Sequence, residues 1–282
     1  MVSMTKRAIP LIAIVLFAAL LCTAGCTTQP LVTGENATPP AVADTSLLVY
    51  SGAGLKKPMS EIGEAFTDKY GIGVEYTFAG SGGTLMTQME LSRKATPSSP
   101  GGTPDYRIAR EKGLVGEPGG YVAYHVPVIA VQKGNPHNIT SVDDFARPGL
   151  KIALGGVNST SIGGAGDKLF RAHGIRDAVE ANVVLRAPTI NEVVVAMNMG
   201  TADAALLTLD QINPPEKMDA IDLPQEDNLA LIVPIGATTF TTQPDAAQAF
   251  VEFVTSDEGK AIFAKHGFPT YPPDPAYAGI EP

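Results

Sequence analysis

Apolar residues come first as one block and afterwards in short patterned runs. Positions 8–22 are almost wholly apolar, behind Lys6 and Arg7 and ahead of Thr23-Ala24-Gly25-Cys26. A positive start, an apolar stretch too short for a comfortable membrane span and a zone of small residues follow the order of an export signal. Residues 27–46 mix Thr, Pro, Ala and Gly without a period, which predicts a flexible tether. From 47 onward the pattern changes: apolar or alternating runs that end in Gly or Thr trade places with segments of helical period. Strands are predicted at 47–50, 74–78, 121–132, 151–154, 182–186, 204–208 and 229–235. Helices are predicted at 58–70, 84–92, 165–173 and 191–199, with Gly71, Gly174 and Gly200 as stops, and a short helix opens at Asp143. Alternation of this kind implies an α/β fold with mostly parallel sheets.

Four turns carry the candidate chemistry: Ser51-Gly52-Ala53-Gly54, Gly80-Ser81-Gly82-Gly83, Thr160-Ser161-Ile162-Gly163 and Thr189-Ile190-Asn191-Glu192. Each leads from a strand into a helix, where ligands of α/β folds bind. A helix start offers unpaired N–H groups and a positive dipole end, and a short hydroxyl adds a further donor. One such turn is an ordinary connector. Four in one chain favour a cleft that holds a compact anion without Lys or Arg.

Charge sharpens this picture. The formal net charge is -9, so there is no basic excess for nucleic acid, and an anion must be held by local donors. The only cysteines, Cys22 and Cys26, precede the folded part, which excludes a disulfide or Cys-based metal site there. His125, His137, His173 and His266 are scattered without metal-ligand spacing. Ser51 and Ser81 lie outside any Gly-x-Ser-x-Gly elbow, and no His/Asp partner is indicated, so an exported α/β hydrolase is the weaker reading. Asp203 and Asp210 read as structural, and Lys56 and Lys57 as solvated charges.

Several stretches resemble a known family. Val49 through Leu55, then Glu64-Ala65-Phe66, then Phe78-Ala79-Gly80-Ser81-Gly82 with Gln88, look like the first lobe of molybdate/tungstate-binding proteins. Gly200-Thr201-Ala202-Asp203-Ala204-Ala205 is similar to the Gly-x-Ala-Asp-Ala stretch of their second lobe. Ala249 through Val254, Ser256, Glu258-Gly259, Ile262-Phe263 and Gly267-Phe268 resemble their closing helix. Cys26 after Ala24-Gly25 resembles the lipobox of secreted lipoproteins, with Thr23 where that motif prefers Leu; an uncleaved N-terminal anchor is the alternative.

The resemblance implies a two-lobe, type II periplasmic-binding-protein-like fold with two crossover strands. It implies a signal peptide at 1–25, a lipidated Cys26 and tether at 26–46, a first lobe at 47–123 plus 236–282, and a second at 124–235. Ser81 matches a hydroxyl ligand of the family and Ile162 a backbone N–H donor, with Gly82 and Ser161 beside them in the same turns. Glu192 or Val193 falls at the third contact. Gly54 aligns better than Ser51 with the first family serine, and Thr208 stands where a tyrosine is expected. The implied function is capture of molybdate or tungstate on the outer face of the membrane by a lipid-anchored monomer. That monomer delivers to an ABC permease, with no cofactor, no catalysis and no nucleic-acid partner. Another anion or a small organic acid is the alternative ligand.

One segment departs from the family. An apolar strand is implied between 94 and 103, but the chain reads Ala95-Thr96-Pro97-Ser98-Ser99-Pro100-Gly101. Two prolines and two serines are not expected to form a buried central strand. Codons for this stretch, read one base out of frame, can encode Gly-Asp-Ala-Phe-Ile-Pro. A short compensated frameshift therefore stands against an ordinary Pro/Ser loop. If the segment is genuine, the first lobe is expected to lack a strand.

Overall fold

The computed structural model describes residues 46–212, 216–227 and 229–272. The export signal, Cys26 and the tether lie outside the described residues. The chain starts with β1 (Ser46–Gly52), α1 (Lys56–Tyr70), β2 (Gly73–Ala79), α2 (Met86–Ser92), β3 (Pro97–Ser99), α3 (Thr103–Glu111) and β4 (Gly120–His125). It continues through β5 (Pro127–Gln132), β6 (Ile152–Gly155), α4 (Ser161–Ala172), α5 (Arg176–Asn182), β7 (Val183–Ala187), α6 (Ile190–Asn198), β8 (Ala204–Thr208) and β9 (Met218–Asp222). It closes with β10 (Leu231–Ala237), α7 (Pro244–Thr255) and α8 (Asp257–Lys265).

The strands form two five-stranded sheets, ordered β2-β1-β3-β10-β4 and β7-β6-β8-β5-β9. Each sheet has its own core. Leu47, Val49, Met59, Ile62, Phe66 and Phe250 pack in one, and Val128, Ile129, Phe145, Ile152, Phe170 and Val193 in the other. In α1, Met59, Ile62 and Phe66 recur at helical spacing and are fully buried, and Gly71 ends the helix at φ 68 because a left-handed residue is needed there. The long apolar run at 121–132 is two strands, β4 in the first sheet and β5 in the second, joined through Val126. The chain crosses back between β9 and β10. This is the two-lobe α/β fold with two crossovers.

The sheets are mixed rather than mostly parallel. Among the described residues, β1–β2, β1–β3, β6–β7 and β6–β8 pair parallel, while β10 and β5 pair antiparallel with both of their neighbours. The reason is the crossing itself. Each lobe takes in one strand at a crossover, and that strand runs against both of its neighbours: β10 between β3 and β4, and β5 between β8 and β9.

The segment expected to leave a gap is a strand. Pro97–Ser99 forms β3, buried at the centre of the first sheet, parallel to β1 and antiparallel to β10. Its polar atoms are all accommodated. Pro97 stands at the first position, where a missing N–H costs least. The Ser99 hydroxyl donates to Pro234 O at 2.7 Å, and Thr96 N–H donates to Leu48 O at 2.9 Å. Thr238 on the far side donates its N–H to Thr96 O at 2.9 Å and its hydroxyl to Ala95 O at 2.6 Å. The sequence as written therefore fills the place where the resemblance implies apolar side chains. Thr238→Val keeps the shape and strands a buried carbonyl, so it is expected to cost about 1–3 kcal/mol in urea unfolding.

Candidate functional site

All four Gly/Ser/Thr-rich turns line one cavity. Gly52 to Leu55, between β1 and α1, form part of its wall with Gly80 and Ser81, between β2 and α2. From the second lobe come Thr160, Ser161 and Ile162 at the start of α4, and Thr189 and Ile190 at the start of α6. The strand ends supply His125 from β4, Thr208 from β8 and Leu231 from β10, with Pro100 and Gly101 after β3. The site thus lies where α/β folds place ligands, beyond carboxyl ends of strands and at helix starts.

The donors are backbone groups and hydroxyls. In α4 the Thr160 hydroxyl oxygen accepts the Gly163 N–H at 3.0 Å, and Thr160 O accepts the Gly164 N–H at 3.2 Å. That leaves the N–H groups of Ser161 and Ile162 as the open donors of this helix start. In α6 no side chain caps the first turn, because the Thr189 hydroxyl is turned to the Glu192 carboxylate at 3.0 Å. Two hydroxyls, Ser81 from one lobe and Ser161 from the other, stand 3.2 Å apart at the lobe boundary.

Behind this serine pair lies a carboxylate. Asp105, in the first turn of α3, is buried, and the Ser161 hydroxyl donates to it across the lobe boundary. Burial pushes the Asp105 carboxyl up from the ordinary carboxylate range, and the hydrogen bonds from Ser161 and Ser81 oppose that rise. On another wall His125 holds the buried Asp210 through Nδ1 at 3.0 Å. The lobes also meet through Asn191 Nδ2, which donates to Ala53 O at 2.9 Å, and Gln211 Nε2, which donates to Gly54 O at 3.4 Å.

Of the residues singled out from sequence, Gly54, Ser81, Ser161, Ile162 and Thr208 line the cavity. The others stand off it. Ser51 is fully buried in β1 with no hydrogen-bond partner for its hydroxyl. Gly82 turns its N–H to Ser159 O at 3.4 Å. Glu192 is exposed, and Val193 is packed in the second core one helical step away, so Thr189 and Ile190 take that wall instead. Asp105 and His125 were not singled out as site residues. His125 interrupts an otherwise apolar run at 121–132, which is a signal. Asp105 follows Thr103-Pro104, which marks a helix start but says nothing of what the carboxylate faces.

The model of the bacterial extracellular solute-binding protein family matches residues 47–269, nearly all of the folded chain. The chain belongs to that family. Among curated relatives of this solute-binding protein, a molybdate-binding protein of Mycobacterium tuberculosis is 29% identical over 232 residues, 81% of this chain and 86% of the relative. Among solved structures, the periplasmic molybdate-binding protein of Azotobacter vinelandii superposes with a TM-score of 0.66 at 17% identity, over 79% of this chain and 98% of that one. The sulfate-binding protein SubI of Mycobacterium tuberculosis reaches 0.69 at 20% identity, over 83% and 89%. At these identities the structures show the shared fold. Among the described residues no helix is long and apolar enough to cross a membrane.

Proposed function

We propose that this solute-binding protein captures a tetrahedral oxyanion, molybdate or tungstate, outside the cell for an ABC importer. In this reading Cys26 carries the lipid anchor, the chain works as a monomer, and the partner is the membrane permease. The observation that carries the proposal is the convergence of four donor turns, two from each lobe, on one cavity of about 50 Å³. At roughly 10–15 Å³ per water-sized group, that volume suits the oxygens of one XO₄ ion. Ser81, Gly54, Ser161, Ile162 and Thr208 are the contacts of this reading, with Thr189 and Ile190 closing the fourth side. The relative named as molybdate-binding supports the choice of ion.

The test is titration calorimetry of the purified folded part with molybdate, tungstate, sulfate and phosphate. Heat with molybdate or tungstate and little with the others is the expected result; silence with all four would remove the proposal. Ser81→Ala is expected to weaken binding by about 1–3 kcal/mol, since a charge-assisted bond is lost. A different anion as cargo is favoured by one observation, the acceptor-only carboxylate of Asp105 behind the serine pair. The same panel separates the two readings.

A further inference from the structure

His125 is the one imidazole in the cavity wall among the described residues, and the sequence pattern gives it no role. Its surroundings leave little freedom. Nδ1 faces Asp210 Oδ1 at 3.0 Å, and the Asp210 side chain is completely buried, with the Gln211 amide donating to its other oxygen. A buried carboxylate of this kind needs donors, so Nδ1 carries the hydrogen. The Phe268 ring packs edge-on against the imidazole at 5.2 Å, which fixes its tilt. Cε1 lies beside Gly54, itself a wall of the cavity. Nε2 has no hydrogen-bond partner among the described residues, and in the neutral ring it is an acceptor.

His125 lines the anion cavity and Nδ1 is committed to Asp210, so Nε2 is the ring nitrogen left to meet a ligand, and as an acceptor it conflicts with an anion that has no proton to give. The conflict is removed when Nε2 takes a proton, which makes the ring a cation and turns Nε2 into a donor. Asp210 then serves as the buried counter-charge. Resting on the oxyanion reading above, we infer that His125, oriented by Asp210, is a further ligand of the bound anion, and that capture of a dianion takes up one proton onto Nε2. The balance is simple: the neutral imidazole, one proton from solvent and the dianion give an imidazolium–anion pair, and release returns the proton.

The charged groups around the ring come from several elements. Asp210 follows β8; Lys56 and Lys57 at the start of α1, with His266 after α8, line a neighbouring cavity that also takes in Asp210 and shares Ala53 and Gly54 with the first. Asp105 is held by Ser81 and Ser161, which line the same cavity as His125. Asp105 is the one rival source of proton uptake, so the test includes it.

The experiment titrates sodium molybdate into the protein at a series of pH values through neutral and mildly alkaline pH, in buffers of differing ionisation enthalpy. The expected result is uptake approaching one proton per anion, with affinity falling by about tenfold for each pH unit gained in that region. His125→Gln is expected to abolish the uptake and flatten the pH profile, while Asp105→Asn, although its affinity changes, still takes up the proton. Asp210→Asn, which frees the tautomer, is expected to weaken the pH dependence without removing a contact to the anion. Molybdate heat with no proton uptake would overturn this inference alone. Uptake that persists in His125→Gln and vanishes in Asp105→Asn would also overturn it. Silence with every oxyanion overturns it together with the function it rests on.

Discussion

Gly80→Ala is expected to weaken oxyanion binding by about 5–150-fold while leaving the melting temperature almost unchanged. The backbone of Gly80 sits at φ -61 and ψ 126, which any residue adopts, so alanine brings no local strain. Space is the obstacle. A Cβ there would stand 2.6 Å from Ser159 O and closer still to Pro188 O, both main-chain atoms of the opposite lobe. Overpacking of this sort costs about 1–3 kcal/mol, and neither carbonyl can rotate away. The two lobes can, by staying apart. The cost therefore falls on closure rather than on either core, and it appears in affinity. Calorimetry beside thermal melts separates the cases: a lower melting temperature with unchanged affinity would show that the strain is taken up inside a lobe.

Asp105→Asn is expected to do the opposite and strengthen binding, by about tenfold at mildly alkaline pH. The carboxylate and an arriving anion compete for the hydroxyl protons of Ser161 and Ser81. Asparagine keeps an acceptor for Ser161, offers an amide donor toward Ser81 and removes a like charge. With repulsion screened at an effective dielectric near 20, the gain is about 1–3 kcal/mol. The same substitution has a stability signature. Burial raises the Asp105 carboxyl above its unfolded value of about 3.9. Between those two values the native state holds a proton that the unfolded state has lost, so stability falls as pH rises through that window and stays lower above it. Asp105→Asn is expected to flatten that fall and raise stability at neutral pH, which urea unfolding at several pH values reads directly. Weaker binding by the variant at every pH would show that the carboxylate supports the site rather than competing with the ligand.

These two residues mark the limit of what local pattern reveals. Strand β8 at 204–208 is legible to the residue, because a run of small and branched apolar side chains between Asp203 and Asp210 has one sensible conformation. The stops at Gly71, Gly174 and Gly200 are legible for the same local reason, since each takes a φ of 68 that side chains resist. Strand β3 is not. Pro97-Ser98-Ser99 has no propensity for a buried central strand; partners far along the chain, Leu48, Pro234 and Thr238, satisfy its polar atoms one by one. Helix α6 shows the finer failure. Its position is right, but a shift of a few residues around a helix start moves a side chain from cavity to core, and Thr189 and Ile190 face the site while Val193 does not.

Period, caps and glycine stops act over a few residues, so the order of strands and helices and the donor-rich turns between them are written in the chain itself. The pairing of Asp105 with Ser161, of His125 with Asp210, and the approach of Gly80 to Ser159 join positions that are distant in the chain, and all three cross between lobes. No local propensity encodes such meetings. They arise where two separately packed cores close on one another, and it is there that neutral turns become a site with a charge, a proton and a limit on size.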